Sequence, residues 1–175
     1  MDIISHGLWG ATAANIADKK INKKISPWWA TFWGVFPDLF AFTIPFLWLM
    51  LKLVEGGSDI PNIRGAELQP DSPWVFHIAT TLYNYSHSMI VFLAVFGLVY
   101  FVLRRPLWEL IGWPLHIIMD IPTHTYQFYP TPALWPLWNK KFSGFSWATP
   151  WFMVLNYSVL LLIYALLRLK RGQER

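Results

Sequence analysis

Apolar residues fill five stretches of the chain, and polar or charged residues separate them. The stretches cover residues 3–17, 27–53, 74–103, 106–124 and 151–169. The longer ones can cross a hydrocarbon core about 30 Å thick, since a helix rises about 1.5 Å per residue. We therefore predict one all-α domain over residues 1–175. It is expected to be a polytopic membrane bundle of about four to five helices with a polar site between them.

The stretches differ in character. Small residues such as Gly7 and Gly10 in the first stretch predict close approach of a neighbouring helix, but this stretch is short and polar for a span. Internal prolines in 27–53 predict a kinked span. A charged turn is expected from Asp18 to Lys24, and residues 54–73 have the composition of an extramembrane loop.

Composition supports a membrane environment. Of the 175 residues, 55% are hydrophobic and only 14% are charged, against about 25% charged in a soluble domain. Cysteine is absent, so any metal site must use histidine and carboxylate. The net charge of +4 comes from short basic clusters rather than one basic face, so the sequence gives no direct indication of nucleic-acid binding.

The basic clusters predict the orientation. Ten of the fourteen Lys and Arg residues lie at alternating ends of the apolar stretches. They are Lys19, Lys20, Lys23, Lys24, Arg104, Arg105, Arg168, Lys170, Arg171 and Arg175. The positive-inside rule places these ends, and with them the C-terminus, in the cytoplasm. Tryptophans near the other ends are expected to form interfacial belts.

Five ionisable residues interrupt the apolar stretches: His6, Asp38, His87, His116 and Asp120. Each costs several kcal/mol in lipid unless it faces the bundle interior and finds a partner. Counted along straight helices, each lies roughly 16–26 Å from the nearest basic cluster. All five are therefore expected in one layer, in the outer half of the membrane.

The strongest local pattern is the segment from His116 to His124. The i, i+4 spacing of His116 and Asp120 puts an imidazole and a carboxylate on one helix face. Pro122 is expected to disturb the helix, so His124 turns either toward the same site or away from it. Ser88 is a further candidate, since hydroxyls beside His87 can orient its ring or contact a substrate.

These residue types predict a divalent metal held by His6, Asp38, His87, His116 and Asp120. Zinc is favoured because it accepts mixed imidazole and carboxylate ligands, and manganese and iron(II) are alternatives. Asp38 and Asp120 are the candidates for the catalytic base, and the sequence does not separate them.

Two interpretations other than a metal-dependent hydrolase stay open. The same residues would also serve a membrane protein that handles metal ions or protons without hydrolysis. A structural membrane protein, in which these side chains only bond helices together, is the third hypothesis. His77 is interpreted as structural or interfacial.

Four motifs resemble the family of membrane-bound metal-dependent hydrolases, some described as LexA-binding inner-membrane-associated hydrolases. An N-terminal His, a Pro-Asp element, a Ser-His-Ser element and a His-x3-Asp element occur here as His6, Asp38, His87 and the pair His116 and Asp120. The family often has a second Asp two positions after the first, where this chain has a phenylalanine, so the resemblance does not support a second metal ion.

The resemblance implies a hydrolase in a bacterial or archaeal inner membrane. Metal-activated water would cleave a phosphoester or other ester, and a lipid-like substrate would enter sideways from the bilayer. A looser likeness links His116, Asp120 and His124 to zinc-dependent phospholipase C and single-strand nucleases, whose last histidine follows at a longer spacing.

Overall fold

A computed structural model describes residues 1–21, 24–56 and 72–173 of the chain. These residues form six α-helices and one 3₁₀ helix, and no strand is present among them. The helices are α1 (Ile3–Ile21), α2 (Pro27–Val54), α3 (Trp74–Ser86), α4 (Met89–Leu103), the 3₁₀ helix (Trp108–Ile111), α5 (Gly112–Thr123) and α6 (Pro150–Gln173). The all-α class predicted from the sequence is confirmed.

Two of the described helices are long and apolar enough to cross a membrane: α2, and α6 over Pro150–Lys170. Helices α3 and α4 would add a third span if they form one broken crossing. This is consistent with a membrane protein. It provides fewer crossings than the four to five membrane-associated helices expected from the apolar stretches.

The apolar stretch at 74–103 is not one helix. Helices α3 and α4 meet at 61°, with the break at His87 and Ser88. Ser88 begins α4, because its hydroxyl accepts a hydrogen bond from the Val91 amide at 3.2 Å. The sequence did not predict this break, because the hydroxyl cap and the break leave the apolar pattern unchanged.

Other helix boundaries also differ from the predicted ones. Helix α1 continues to Ile21, so the first residues of the predicted turn at Asp18–Lys24 are helical. Helix α2 stays continuous through both internal prolines and begins with Ser26 as its N-cap. Most of the predicted loop at 54–73 lies outside the described residues.

Glycines allow α1, α2 and α5 to pack backbone against backbone. A Cβ atom on Gly34 of α2 would lie 2.6 Å from the carbonyl oxygen of His6 on α1. A Cβ atom on Gly112 of α5 would lie 2.2 Å from the carbonyl oxygen of Ala30 on α2. Only glycine fits at such distances. The close packing brings the polar residues of these three helices together.

Helix α6 packs against α1 through polar side chains. Asn156 of α6 accepts a hydrogen bond from the Trp9 indole at 2.9 Å and donates one to the Ser5 hydroxyl at 2.7 Å. The Tyr157 hydroxyl donates to Asp2 at 2.8 Å. These contacts orient one face of α6 toward the bundle, while its other residues are largely exposed.

Candidate metal centre

The five ionisable residues predicted to share one layer lie together in the structure. His6 comes from α1, Asp38 from α2, His87 from the break between α3 and α4, and His116 and Asp120 from α5. The three histidines and Asp120 are buried. Asp38 is the most accessible of the five, with 15% of its side chain exposed.

Asp38, His87, His116 and Asp120 each offer one ligand atom, and these atoms all lie within 4.8 Å of one another. His116 Nε2 is 3.0 Å from His87 Nε2 and 3.1 Å from Asp120 Oδ2. His87 Nε2 is 3.4 Å from Asp38 Oδ1 and 3.5 Å from Asp120 Oδ2, and Asp38 Oδ1 is 3.7 Å from His116 Nε2. In a tetrahedral zinc site, neighbouring donor atoms lie about 3.3–3.6 Å apart. The spacing fits one ion at the centre of this first donor set.

Hydrogen bonds at the far side of two rings orient them for this role. His116 Nδ1 lies 2.7 Å from the Gly34 carbonyl oxygen, which only accepts hydrogen bonds. His87 Nδ1 lies 2.9 Å from the Ser86 hydroxyl, which donates its own hydrogen bond to the Pro37 carbonyl at 3.0 Å. Both Nδ1 atoms are therefore assigned as donors. With the proton on Nδ1 alone, the two Nε2 atoms would present lone pairs to each other at 3.0 Å, a repulsive contact that a cation between them would remove.

The first donor set contains two carboxylates, Asp38 and Asp120, and their negative charges favour a cation between them. Unpaired buried charge is costly in an apolar bundle. The four residues therefore form a group that could hold a metal ion.

The other oxygen of Asp120 has different neighbours. Oδ1 lies 3.0 Å from His6 Nε2 and 3.4 Å from His124 Nε2. The Met1 amino nitrogen contacts the same oxygen and lies 3.0 Å from His124 Nε2. Of the two outcomes left open for His124, the structure shows the first: the helix ends at Thr123, and the ring turns toward the cluster.

Contacts at Nδ1 also fix the His124 ring. Its Nδ1 lies 2.9 Å from the Tyr129 carbonyl oxygen and 3.1 Å from the Tyr83 hydroxyl, which itself donates to that carbonyl at 2.7 Å. Nδ1 is therefore the donor, and Nε2 presents its lone pair to Asp120. Burial lowers the pKa of His124, and burial with the neighbouring His116 lowers the pKa of His6 to about 4. Both rings are neutral near pH 7, the state that binds metal.

Two residues weighed from the sequence lie elsewhere. Ser88 is fully buried, but its hydroxyl caps α4 and donates to the Trp135 carbonyl, so its contacts stabilise the break. The hydroxyl that touches the His87 ring belongs to Ser86. His77 is exposed on α3, in agreement with its interpretation as structural or interfacial.

Sequence reasoning missed Tyr83 and the Met1 amino group. The Tyr83 ring stacks on the His87 ring with a centroid separation of 3.7 Å. Its position four residues before His87 on a helix was the available signal. No local pattern indicated Met1, because its contact with Asp120 joins residues 119 positions apart.

A cavity of about 190 Å³ borders the cluster at His124. Its lining combines apolar groups with hydroxyls and consists of Thr123, His124, Thr125, Phe128, Ser146, Trp147 and Ala148. Gly144 and Phe145 hold the nearby chain in place, because their amides donate to the carbonyls of His124 and Pro122. The cavity gives the site a largely apolar neighbour.

Comparison of the chain with protein-family models, with curated proteins and with solved structures finds no match at any of the three levels. The resemblance to membrane-bound metal-dependent hydrolases therefore stays a prediction from the motifs.

Proposed function

We propose that this protein is a membrane-embedded metal-dependent hydrolase that uses activated water to cleave a phosphoester or other ester. The observation that carries the proposal is the first donor set, in which two imidazoles and two carboxylates from three parts of the bundle surround one position. Side chains of this kind are expensive inside a membrane protein and usually serve a function there.

Zinc is the metal we favour. Nitrogen and oxygen donors at tetrahedral spacing suit zinc. Imidazoles whose Nδ1 atoms are hydrogen-bonded to a carbonyl and a hydroxyl also suit it. Manganese and iron(II) accept the same donors and are the alternatives.

Exposure and distance assign the roles of metal ligand and general base among these residues. His87, His116 and Asp120 would hold the cation, because all three are fully buried and Asp120 lies nearer to His116 than Asp38 does, at 3.1 against 3.7 Å. A divalent cation bound there would lower the pKa of a coordinated water toward about 7 and would polarise the ester. Asp38 is the partly exposed carboxylate, so it would accept the proton from the attacking water and return it to the leaving alcohol.

The cavity beside His124 supports a substrate with an apolar part. Phe128 and Trp147 line it together with hydroxyl groups. A volume of about 190 Å³ is smaller than the roughly 300–1,000 Å³ of drug-sized pockets. It would hold one segment of a lipid-like ester while the remainder stays in the bilayer.

Elemental analysis of detergent-purified protein tests the metal. The parent chain should carry zinc or manganese, and a combined His116→Ala, Asp120→Ala variant should carry none. His77→Ala is the matched control, since this histidine is exposed on α3 and should leave the content unchanged. A parent that stays empty after incubation with zinc, manganese or iron(II) would refute the proposal.

Turnover of a chromogenic phosphodiester and of a short-chain carboxylic ester tests the reaction. Asp38→Asn should lower kcat about 10²–10⁴-fold in metal-saturated protein, the usual contribution of a general base. His77→Ala should match the parent. Metal-loaded parent protein that cleaves neither substrate class, in detergent or in lipid, would count against hydrolysis.

A second candidate function has one observation in its favour. The 3.0 Å contact between His87 and His116 would also be satisfied by a shared proton. A membrane protein that handles protons or metal ions without hydrolysis is the corresponding function. Transport of protons or zinc into liposomes, with no ester turnover, would establish it in place of the hydrolase.

A further inference from the structure

We infer that Asp120 bridges two cation positions, and that the second is formed by His6 Nε2, His124 Nε2 and Asp120 Oδ1. This inference rests on the proposed metal-dependent function and deepens it, because it turns a single-ion site into a paired one. The phenylalanine two positions after Asp38 gave no support for a second ion. The second position inferred here uses other donors, on the opposite side of Asp120.

The two oxygens of Asp120 face two separate groups of nitrogen atoms. Oδ2 faces His87 and His116 at 3.5 and 3.1 Å. Oδ1 faces His6 and His124 at 3.0 and 3.4 Å. The same donor spacing is thus repeated on both sides of one carboxylate. A carboxylate with nitrogen ligands at each oxygen suits a two-metal site, in which the ions lie about 3.5–4 Å apart.

His6 gives an independent indication of a ligand. Its side chain is buried, and neither ring nitrogen has a hydrogen-bond partner, although Nε2 lies 3.0 Å from Asp120 Oδ1. A buried polar atom without a hydrogen-bond partner destabilises the folded state. The ring is held in place by stacking on His116, with a centroid separation of 3.5 Å. Coordination of a cation by Nε2 would satisfy the atom without moving the ring.

One other group lies beside Oδ1. The Met1 amino group contacts this oxygen and lies 3.0 Å from His124 Nε2. His124 is fixed from behind by Tyr129 and Tyr83, as metal-binding histidines usually are. The competing explanation is that the amino group alone neutralises Oδ1, with no second ion.

A second cation would add to the chemistry that the first donor set supplies. In paired sites one ion holds the attacking oxygen and the other stabilises the leaving oxygen. The second position also lies on the side of His124, which borders the apolar cavity. A substrate seated in the cavity would therefore lie beside His124, one of the ligands of the second position.

The stoichiometry of bound zinc tests the inference. Parent protein dialysed against zinc should hold two ions per chain, whereas His6→Gln and His124→Gln should each hold one. Glutamine preserves much of the side-chain volume, and thermal unfolding in detergent shows whether each variant folds. His77→Ala, the exposed control, should keep both ions.

A measurement on the unmodified chain removes the dependence on variants. Two manganese ions bridged by one carboxylate are spin-coupled, so the manganese-loaded parent should give the EPR spectrum of a coupled pair rather than that of isolated ions. One ion per chain, or two ions without coupling, would overturn the bridged pair and leave the proposed hydrolase intact. Two ions retained in both glutamine variants would overturn it as well, and protein that binds no ion would overturn both proposals.

Discussion

The polar interior and the outer helices of this protein differ in which side chains they bury and which they expose. Around Asp120, histidines and carboxylates are buried and helices touch through glycine backbones. Along α4 and α6 many large apolar side chains point outward, such as Leu98 at 63% exposure and Leu161 at 72%. In α4 Phe92 is the one buried residue. In a bilayer, lipid would solvate these outer side chains, so specificity would come from the polar and close-packed interior.

The largest effect that separates the two regions is expected from Ser86→Ala. Its hydroxyl connects the Pro37 carbonyl to His87 Nδ1, so the alanine variant loses the group that orients the ring. Loss of such a partner typically weakens metal binding about 10–100-fold. The measurement is a zinc titration against a competing chelator.

Thr81→Ala is the control for this titration. Thr81 lies on the same helix, and its exposed hydroxyl bonds only the His77 carbonyl at 3.0 Å. Zinc affinity should not change there. Equal affinities for parent and Ser86→Ala would mean that the hydroxyl does not position His87.

A comparison of two glycines gives the next largest effect. Alanine at Gly34 would place Cβ 2.6 Å from the His6 carbonyl oxygen, so α1 would have to shift away from α2. We expect a loss of about 1–3 kcal/mol in the free energy of unfolding, the usual cost of overpacking. Thermal or denaturant unfolding in detergent measures it.

Gly97 in the outer helix α4 provides the contrast. An added Cβ there has nothing within 4 Å, so Gly97→Ala should cost nothing and could gain up to about 1 kcal/mol from helix propensity. If both variants lose similar stability, close helix contact is not what distinguishes the interior.

The same contrast explains how much could be predicted from the sequence. The grouping of His6, Asp38, His87, His116 and Asp120 followed from helical rise and the cost of charge in lipid. Neither argument depends on knowing how the helices pack. The i, i+4 spacing of His116 and Asp120 likewise survives in α5, because both residues lie within one regular helix.

What could not be predicted depends on contacts between distant parts of the chain. The break at His87 leaves the apolar pattern unbroken, and Ser88 had the right neighbours in sequence but serves as a helix cap. Tyr83 and Met1 reach the site through tertiary packing. The division of the histidines between the two oxygens of Asp120 depends on side-chain direction, which spacing along the chain does not fix.

The smallest effect concerns the two faces of α6. Asn156→Leu removes the acceptor of the Trp9 indole and the donor to Ser5, leaving two polar groups of α1 without these partners. Hydrogen bonds between membrane helices contribute about 0.6 kcal/mol on average, so a loss near 1 kcal/mol is expected. Leu161→Ala on the exposed face should change the free energy of unfolding by less than about 0.5 kcal/mol. Unfolding in the same detergent compares them, and a larger loss from Leu161→Ala would show that this face of α6 is covered by protein rather than by lipid.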